Sequence, residues 1–309
     1  MSFEPAGVIP ACLMPFTADL SIDEPAYRKH LRYLSEVDGV TAITVNGHAA
    51  EVHALSLDEQ RRGLAIARDE VGDSTALIAG VFTSNWRQAA EIARMTTRGG
   101  ADALLVFPSE VFALGGQSRP EMAIAHFDAI AAATDLPLIL FQYPLAGGLG
   151  YPLETLRMLC ERFPTIRAVK DWCQDPQLHE RQIRMLHALD RPIKVLTTHS
   201  AWLLGSLVMG CDGILSGAGS VIADLHVALW RAVSAGDLAT AQRINDQIYP
   251  TTCAFYRQPL VDMHNRMKES LVMLGRLDEA HVRAPLVKLS ENELGELRKL
   301  LSGLLQRAD

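Results

Sequence analysis

Residues 138–170 read LILFQYPLAGGLGYPLETLRMLCERFPTIRAVK. The stretch opens on an unbroken apolar run, Leu138–Gln142, and breaks at Pro144 and the pair Gly147-Gly148. An amphipathic segment follows from Leu153 to Phe163, and a second β-rich run, Ile166–Lys170, closes it. Apolar runs without alternation are what strands buried on both faces look like. A helical segment between two of them is a βαβ unit.

The same unit recurs in both directions. Further strand candidates are Val8–Leu13, Val40–Val45, Ala76–Val81, Ala103–Phe107, Ile193–Thr197 and Gly213–Ser216, which makes eight in all. Between them, Asp58–Val71, Asn85–Arg98 and Pro120–Thr134 have helical periodicity. Ser56-Leu57-Asp58-Glu59 reads as a capping box, and Gly99-Gly100 as a helix stop. Eight β/α repeats with no break in composition predict an α/β chain closed as a (β/α)8 TIM barrel over residues 1–236. Beyond Asp237 the strands stop. Residues 237–309 are expected to form a C-terminal helical extension, broken near Arg283-Ala284-Pro285. No G-x-G-x-x-G follows the first strand, which argues against a dinucleotide fold.

Composition narrows the function classes. Formal net charge is −7, so no nucleic-acid partner is expected. The five cysteines, Cys12, Cys160, Cys173, Cys211 and Cys253, are odd in number and widely spaced, with no C-x-x-C. That suits reduced thiols in the cytoplasm. No signal peptide, no membrane span and no membrane partner are expected.

In such barrels the chemistry lies at the C-terminal ends of the strands. Lys170 ends the sixth. A period of two puts Ile166, Ala168 and Lys170 on one face and turns Arg167 and Asp171 to the other. A lysine facing a packed barrel is desolvated. Its ammonium loses protons more readily, and a neutral amine is a nucleophile toward carbonyls. The structural alternative is a lysine neutralised by Asp171 or Glu51. Lys194, at the opposite mouth, reads as structural.

Several motifs now bear on identity: Met14-Pro15-Phe16, Gly47 through Glu51 with Leu55, Gly99-Gly100-Ala101-Asp102-Ala103, and Gln142-Tyr143-Pro144. Val169-Lys170-Asp171, Gly213-Ile214-Leu215-Ser216-Gly217, Met267-Lys268 and Leu274-Gly275 continue the series. In this order and spacing the chain resembles the dihydrodipicolinate synthase/N-acetylneuraminate lyase family along nearly its whole length. The resemblance implies a Schiff-base role for Lys170, a 2-oxo acid carboxylate held by the turn at Gly47–Ala49, and a homo-oligomer, often a tetramer. Phe255 and Tyr256 are expected to be exposed aromatics compatible with subunit contact.

The sequence also departs from the family. Gly47-His48-Ala49-Ala50-Glu51 replaces Gly-Thr-Thr-Gly-Glu, so backbone N–H groups remain for the carboxylate but the hydroxyls are gone. The relay-tyrosine position is Phe141, with Tyr143 two residues on. Ser109-Glu110 stands where a tyrosine pair is expected, and no basic residue follows Pro144. Glu51 is read as a carboxylate that holds its turn.

The expected catalytic residues are therefore Lys170, His48, Glu110 and Tyr143, with His48 supplying acid/base function or only a substrate hydrogen bond. Gly47, Ala49, Phe141, His199, Ser216 and Gly217 are the expected substrate-binding residues. No cofactor is expected, because the lysine iminium is itself the electron sink. His48, Glu51, His53 and His199 have metal-ligating side chains but no metal-motif spacing, and no metal is expected. The reading is an aldolase-type lyase acting on pyruvate or another small 2-oxo acid, and not a true dihydrodipicolinate synthase. A sugar-acid dehydratase using the same Schiff base and a non-catalytic 2-oxo acid binder are the alternatives.

Overall fold

The computed structural model describes residues 3–306. Residues 1–2 of the expected barrel and 307–309 of the expected extension lie outside the described residues. Eight parallel strands form one sheet: β1 (Gly7–Pro10), β2 (Ala42–Val45), β3 (Ala76–Val81), β4 (Ala103–Val106), β5 (Leu138–Gln142), β6 (Ile166–Asp171), β7 (Lys194–Thr197) and β8 (Gly213–Ser216). β2 to β8 pair in sequence order, and β8 pairs with β1. Isolated bridges from Val8 to Val40 and from Ala11 to Thr44 close the ring between β1 and β2. The strands are almost wholly buried. Arg167, on the odd face of β6, is exposed, and Ala76 and Lys194, which open β3 and β7, are half-buried.

The barrel helices are α1 (Glu24–Glu36), α2 (Leu57–Val71), α3 (Trp86–Arg98), α4 (Pro120–Ala131), α5 (Leu153–Arg162), α6 (Pro176–His187), α7 (Leu203–Val208) and α8 (Gly219–Ser234). Their starts follow local chemistry. The Ser56 side chain accepts from Glu59 N–H while Glu59 reaches back to Ser56 N–H, the reciprocal box read from the sequence. Asn85 and Asp175 cap α3 and α6 with their side-chain oxygens. Gly99 ends α3, and Gly100 takes φ +82°.

The tail contributes α9 (Leu238–Phe255), α10 (Met263–Met273), α11 (Glu291–Leu300) and α12 (Ser302–Leu305). The expected break around Arg283 is a longer irregular stretch, residues 274–290. Phe255 is fully buried and Tyr256 turns inward onto the barrel mouth. The expectation that both are exposed for subunit contact is therefore corrected: the tail packs its aromatic residues onto its own barrel.

Candidate active site

The C-terminal ends of the strands open into a cleft of about 500 Å³, part of it open solvent. Lys170, Phe141 and Thr198 reach it from the strand ends, His48, Ala49 and Gly217 from the turns, and Tyr256, Met263, His264 and Met267 from the tail.

Lys170 and Phe141 are register partners on β6 and β5 and point to the same interior. The Lys170 Nζ lies 3.9 Å from the Phe141 ring centroid, and the lysine is 5% exposed. Neither sequence-level candidate neutralises it. Asp171 faces away, and Glu51 is engaged elsewhere. Burial moves the Lys170 amine down to about 7. The face of Phe141 favours the ammonium slightly, but an aromatic face replaces only part of lost hydration.

His48 packs between Phe107 and Tyr143, with ring centroids at 4.8 and 6.0 Å. The Tyr143 hydroxyl is hydrogen-bonded to His48 Nε2 at 3.0 Å. Tyr143 follows the last residue of β5, yet its ring stays beside Phe141, centroids 4.6 Å apart. Burial, helped by the positive charge of Lys170, drives His48 well below its usual range, so the ring is neutral. Burial and the nearby Glu110 carboxylate push the Tyr143 phenol up, so it keeps its proton. Together these two side chains form a neutral donor–acceptor pair at the edge of the cleft.

The turn after β2 is shaped by its backbone. Asn46 and Glu51 both have positive φ, 51° and 54°. The first bond of the turn runs from Ala50 N–H to Gly47 C=O at 3.1 Å. The N–H groups of His48 and Ala49 precede it, and the turn gives them no acceptor. Gly80 on β3 permits this path, because a Cβ there would lie 1.9 Å from the Asn46 carbonyl oxygen. Gly217 borders the same space. A Cβ on it would touch Met267, Tyr256 and Ala49 at 3.5 to 3.6 Å and narrow the cleft.

Five expected site residues lie outside the cleft lining: Gly47 in the turn, Tyr143 behind His48 and Phe141, and Glu110, Ser216 and His199. Glu110 is exposed on a short 3-10 turn at the rim, because Pro108 and Ser109 carry the chain outward before it. Ser216 is buried, with its hydroxyl 3.0 Å from Ser200 Oγ and 3.5 Å from the Tyr256 hydroxyl. His199 is turned behind the barrel wall. Residues after β7 keep alternating, so Thr198 faces the cleft and His199 does not. Its ring stacks on Trp202, centroids 4.2 Å apart, and its Nε2 lies 3.7 Å from Asp171.

Behind that wall Asp171, Cys173, His179 and His199 put potential metal-ligating atoms within 4.8 Å of one another. Hydrogen bonds already knit the group. His179 Nδ1 donates to Asp171 at 2.7 Å, and Cys173 N–H donates to it at 2.8 Å. Burial alone would raise the Asp171 carboxyl, but its histidine partners hold it below the usual carboxylate range. The set His48, Glu51, His53 and His199 is not assembled: His53 is exposed, and Glu51 is buried against the tail.

The sequence reading missed what the tail does. Lys268 on α10 forms a buried ion pair with Glu51 and also donates to the His281 carbonyl at 2.7 Å. The other Glu51 oxygen accepts from the Arg283 N–H at 3.1 Å. Arg283 in turn meets Glu59 and the Ala54 carbonyl. Glu51 thus does hold its turn, but by fastening it to residues more than 200 positions away. The Met267-Lys268 motif was the available signal, and only its partner was hidden.

The (β/α)8 barrel thus carries a buried, apolar-walled lysine at the C-terminal ends of its strands, the face where such barrels place their chemistry. Residues 4–304 match the model of the Dihydrodipicolinate synthetase family, and the chain belongs to that family of lyases. It is 28% identical to a 4-hydroxy-tetrahydrodipicolinate synthase of Methanopyrus kandleri, over 98% of both chains. It is 30% identical to an uncharacterized DapA-like lyase of Halobacterium salinarum, over 96% of this chain and 93% of the relative. Among solved structures, YagE, a prophage protein of this family from E. coli K12 in complex with pyruvate, superposes with a TM-score of 0.88 at 24% identity, over 97% and 98% of the two chains.

Proposed function

We propose that the protein is an aldolase-type lyase that forms a Schiff base between Lys170 and pyruvate or another small 2-oxo acid. The observation that carries this reading is the desolvated Lys170 amine with no carboxylate beside it. A neutral amine attacks C2 of the 2-oxo acid, water leaves, and the resulting iminium withdraws electrons from C3. In cleavage the C4 hydroxyl gives up its proton, the C3–C4 bond breaks, and its electron pair enters the iminium as an enamine. Protonation at C3 and hydrolysis then release pyruvate and free lysine.

Each neighbour has a part. The unengaged N–H groups of His48 and Ala49 receive the carboxylate. The His48–Tyr143 pair, 3.0 Å apart, moves the proton that Phe141 cannot. Glu110 acts only at a distance, through its charge on Tyr143. Phe141 and Gly217 shape the cleft, and Ser216 supports it through Tyr256. The bound pyruvate of YagE supports the choice of 2-oxo acid.

The relatives named as dihydrodipicolinate synthases do not fix the acceptor substrate here. Phe141, Ser109-Glu110 and the missing basic residue after Pro144 favour a different one. The free cysteines suit a cytoplasmic protein, and no helix among the described residues is long and apolar enough to cross a membrane. A homo-oligomer, tetrameric by family resemblance, is expected, and light scattering on the eluting peak tests it.

The activity is tested by following pyruvate release from a panel of 4-hydroxy-2-oxo acids. Release by the wild type and none by Lys170→Ala is expected. A covalent adduct with no release from any aldol would favour a 2-oxo acid binding protein, and water loss without carbon–carbon cleavage a dehydratase.

A further inference from the structure

Behind the cleft wall the fold gathers a second group of side chains. Asp171 ends β6, Cys173 follows in the loop, His179 lies near the start of α6, and His199 comes just after β7. All four are buried. One donor atom from each lies within 4.8 Å of the other three. The spacing Asp-x-Cys, then His179 on a helix and His199 beyond the next strand, is no standard metal motif, so no metal was expected from it. Folding, not spacing, brings these residues together.

Hydrogen bonding alone leaves the group unfinished. His199 is 2% exposed, and its Nδ1 has no partner. Its Nε2 has only Asp171 Oδ1 at 3.7 Å and Cys173 Sγ at 3.8 Å, both long for a hydrogen bond. They are close to the edges of a tetrahedral zinc site, roughly 3.3–3.6 Å for ligand lengths of about 2.0–2.3 Å. His179 is oriented as a ligand would be. Its Nε2 lies 2.8 Å from Ser206 Oγ, whose own hydrogen goes to Thr197 Oγ1 at 2.6 Å, so the ring has an outer acceptor. Its Nδ1 faces the Asp171 carboxylate across 2.7 Å, a gap bridged by a proton. Metal-bound histidines carry an outer partner of this kind on the nitrogen that does not bind.

We propose that Asp171, Cys173, His179 and His199 bind one zinc ion as a buried structural site. A thiolate, two imidazoles and a carboxylate are a zinc donor set, and four protein ligands close the coordination shell. On binding, the Cys173 thiol proton and the proton between His179 and Asp171 are released, and nothing is oxidised or reduced. The two charges of the ion then offset one carboxylate and one thiolate, so the buried centre carries no net charge. Asp171 follows Lys170, and His199 follows Thr198, and both Lys170 and Thr198 line the cleft. The ion ties the ends of β6 and β7 together from behind and positions the residues in front. It takes no part in the reaction, and the inference does not depend on the Schiff-base reading of Lys170.

The experiment uses the full-length protein, purified from cells grown with added zinc and, separately, stripped by a chelator in denaturant and refolded with Zn²⁺. Metal analysis should give about one zinc per chain, and at least about tenfold less in Cys173→Ala and in His199→Leu. X-ray absorption at the zinc edge should show one sulfur at about 2.3 Å and three nitrogen or oxygen ligands at about 2.0–2.2 Å. That readout needs only the wild type, so it decides the matter even where a variant does not fold. Chelation should lower the thermal midpoint of the wild type by several degrees. Less than about a tenth of an ion per chain in folded wild type after both treatments would overturn the proposal. So would zinc with no sulfur ligand, or zinc undiminished in the folded variants, either of which means an adventitious ion only. Pyruvate trapping on Lys170 is scored separately, so failure of the zinc site and failure of the Schiff-base reading are distinguishable.

Discussion

Two lysines are buried in this molecule, and they are treated in opposite ways. Lys268 lies between barrel and tail with Glu51 beside it, a backbone carbonyl on its other side and the Phe16 ring at 4.2 Å. Burial lowers its pKa to about 8, with Glu51 opposing the shift. Lys170 has an aromatic face at 3.9 Å and no carboxylate, and lies at about 7. Burial alone does not make a lysine reactive. A compensated lysine is a fastener. An uncompensated one at the wall of a cleft is held partly unprotonated and open to a carbonyl.

The sharpest way to break the comparison is to replace each lysine by methionine, which keeps the length of the side chain. Lys170→Met should lose all adduct formation, and its thermal midpoint should hold or rise by a few degrees, since a desolvated amine is removed. A large drop in midpoint with the adduct retained elsewhere would reverse the assignment.

The next effect in size concerns proton transfer. Tyr143→Phe and His48→Leu should each lower turnover by about 10²- to 10⁴-fold, the usual weight of general acid–base catalysis, while pyruvate still traps on Lys170. Steady-state rates beside adduct mass separate these steps. Unchanged turnover in both variants would leave His48 as a hydrogen-bonding residue only.

Lys268→Met leaves the buried Glu51 carboxylate without its cation and with only the Arg283 N–H as partner. A loss of roughly 3–5 kcal/mol in unfolding free energy is expected, with the adduct still formed by the folded fraction. Denaturant titration measures it, and a neutral result would make the pair dispensable. The smallest effect is on pH. The amine reacts when neutral, so the trapping rate should rise about tenfold from pH 6 to pH 8, levelling above its pKa of about 7. A rate still climbing steeply at pH 10 would mean an ordinary, hydrated lysine.

The barrel was legible because its signals are local. Apolar runs, capping residues and glycine stops each act within a few residues, and Ala76–Val81, Leu138–Gln142 and Gly213–Ser216 coincide with their strands to the residue. That Lys170 faces the barrel interior was legible from strand parity. His199 was misplaced because the same parity was not carried past the end of β7. His264, Tyr256 and the Glu51–Lys268–Arg283 hub could not be read, because the contacts that give them meaning span most of the chain. No pattern within a helix reports which strand end its side chains will meet.

The central claim is that Lys170, and not Lys268, is the carbonyl nucleophile. The direct measurement is intact mass and peptide mapping after mixing the protein with pyruvate and borohydride at neutral pH. The account predicts one reduced pyruvate adduct per chain, on the peptide containing Lys170, and none in Lys170→Met. An adduct on Lys268, or no adduct from folded protein with pyruvate or with longer 2-oxo acids, would contradict it.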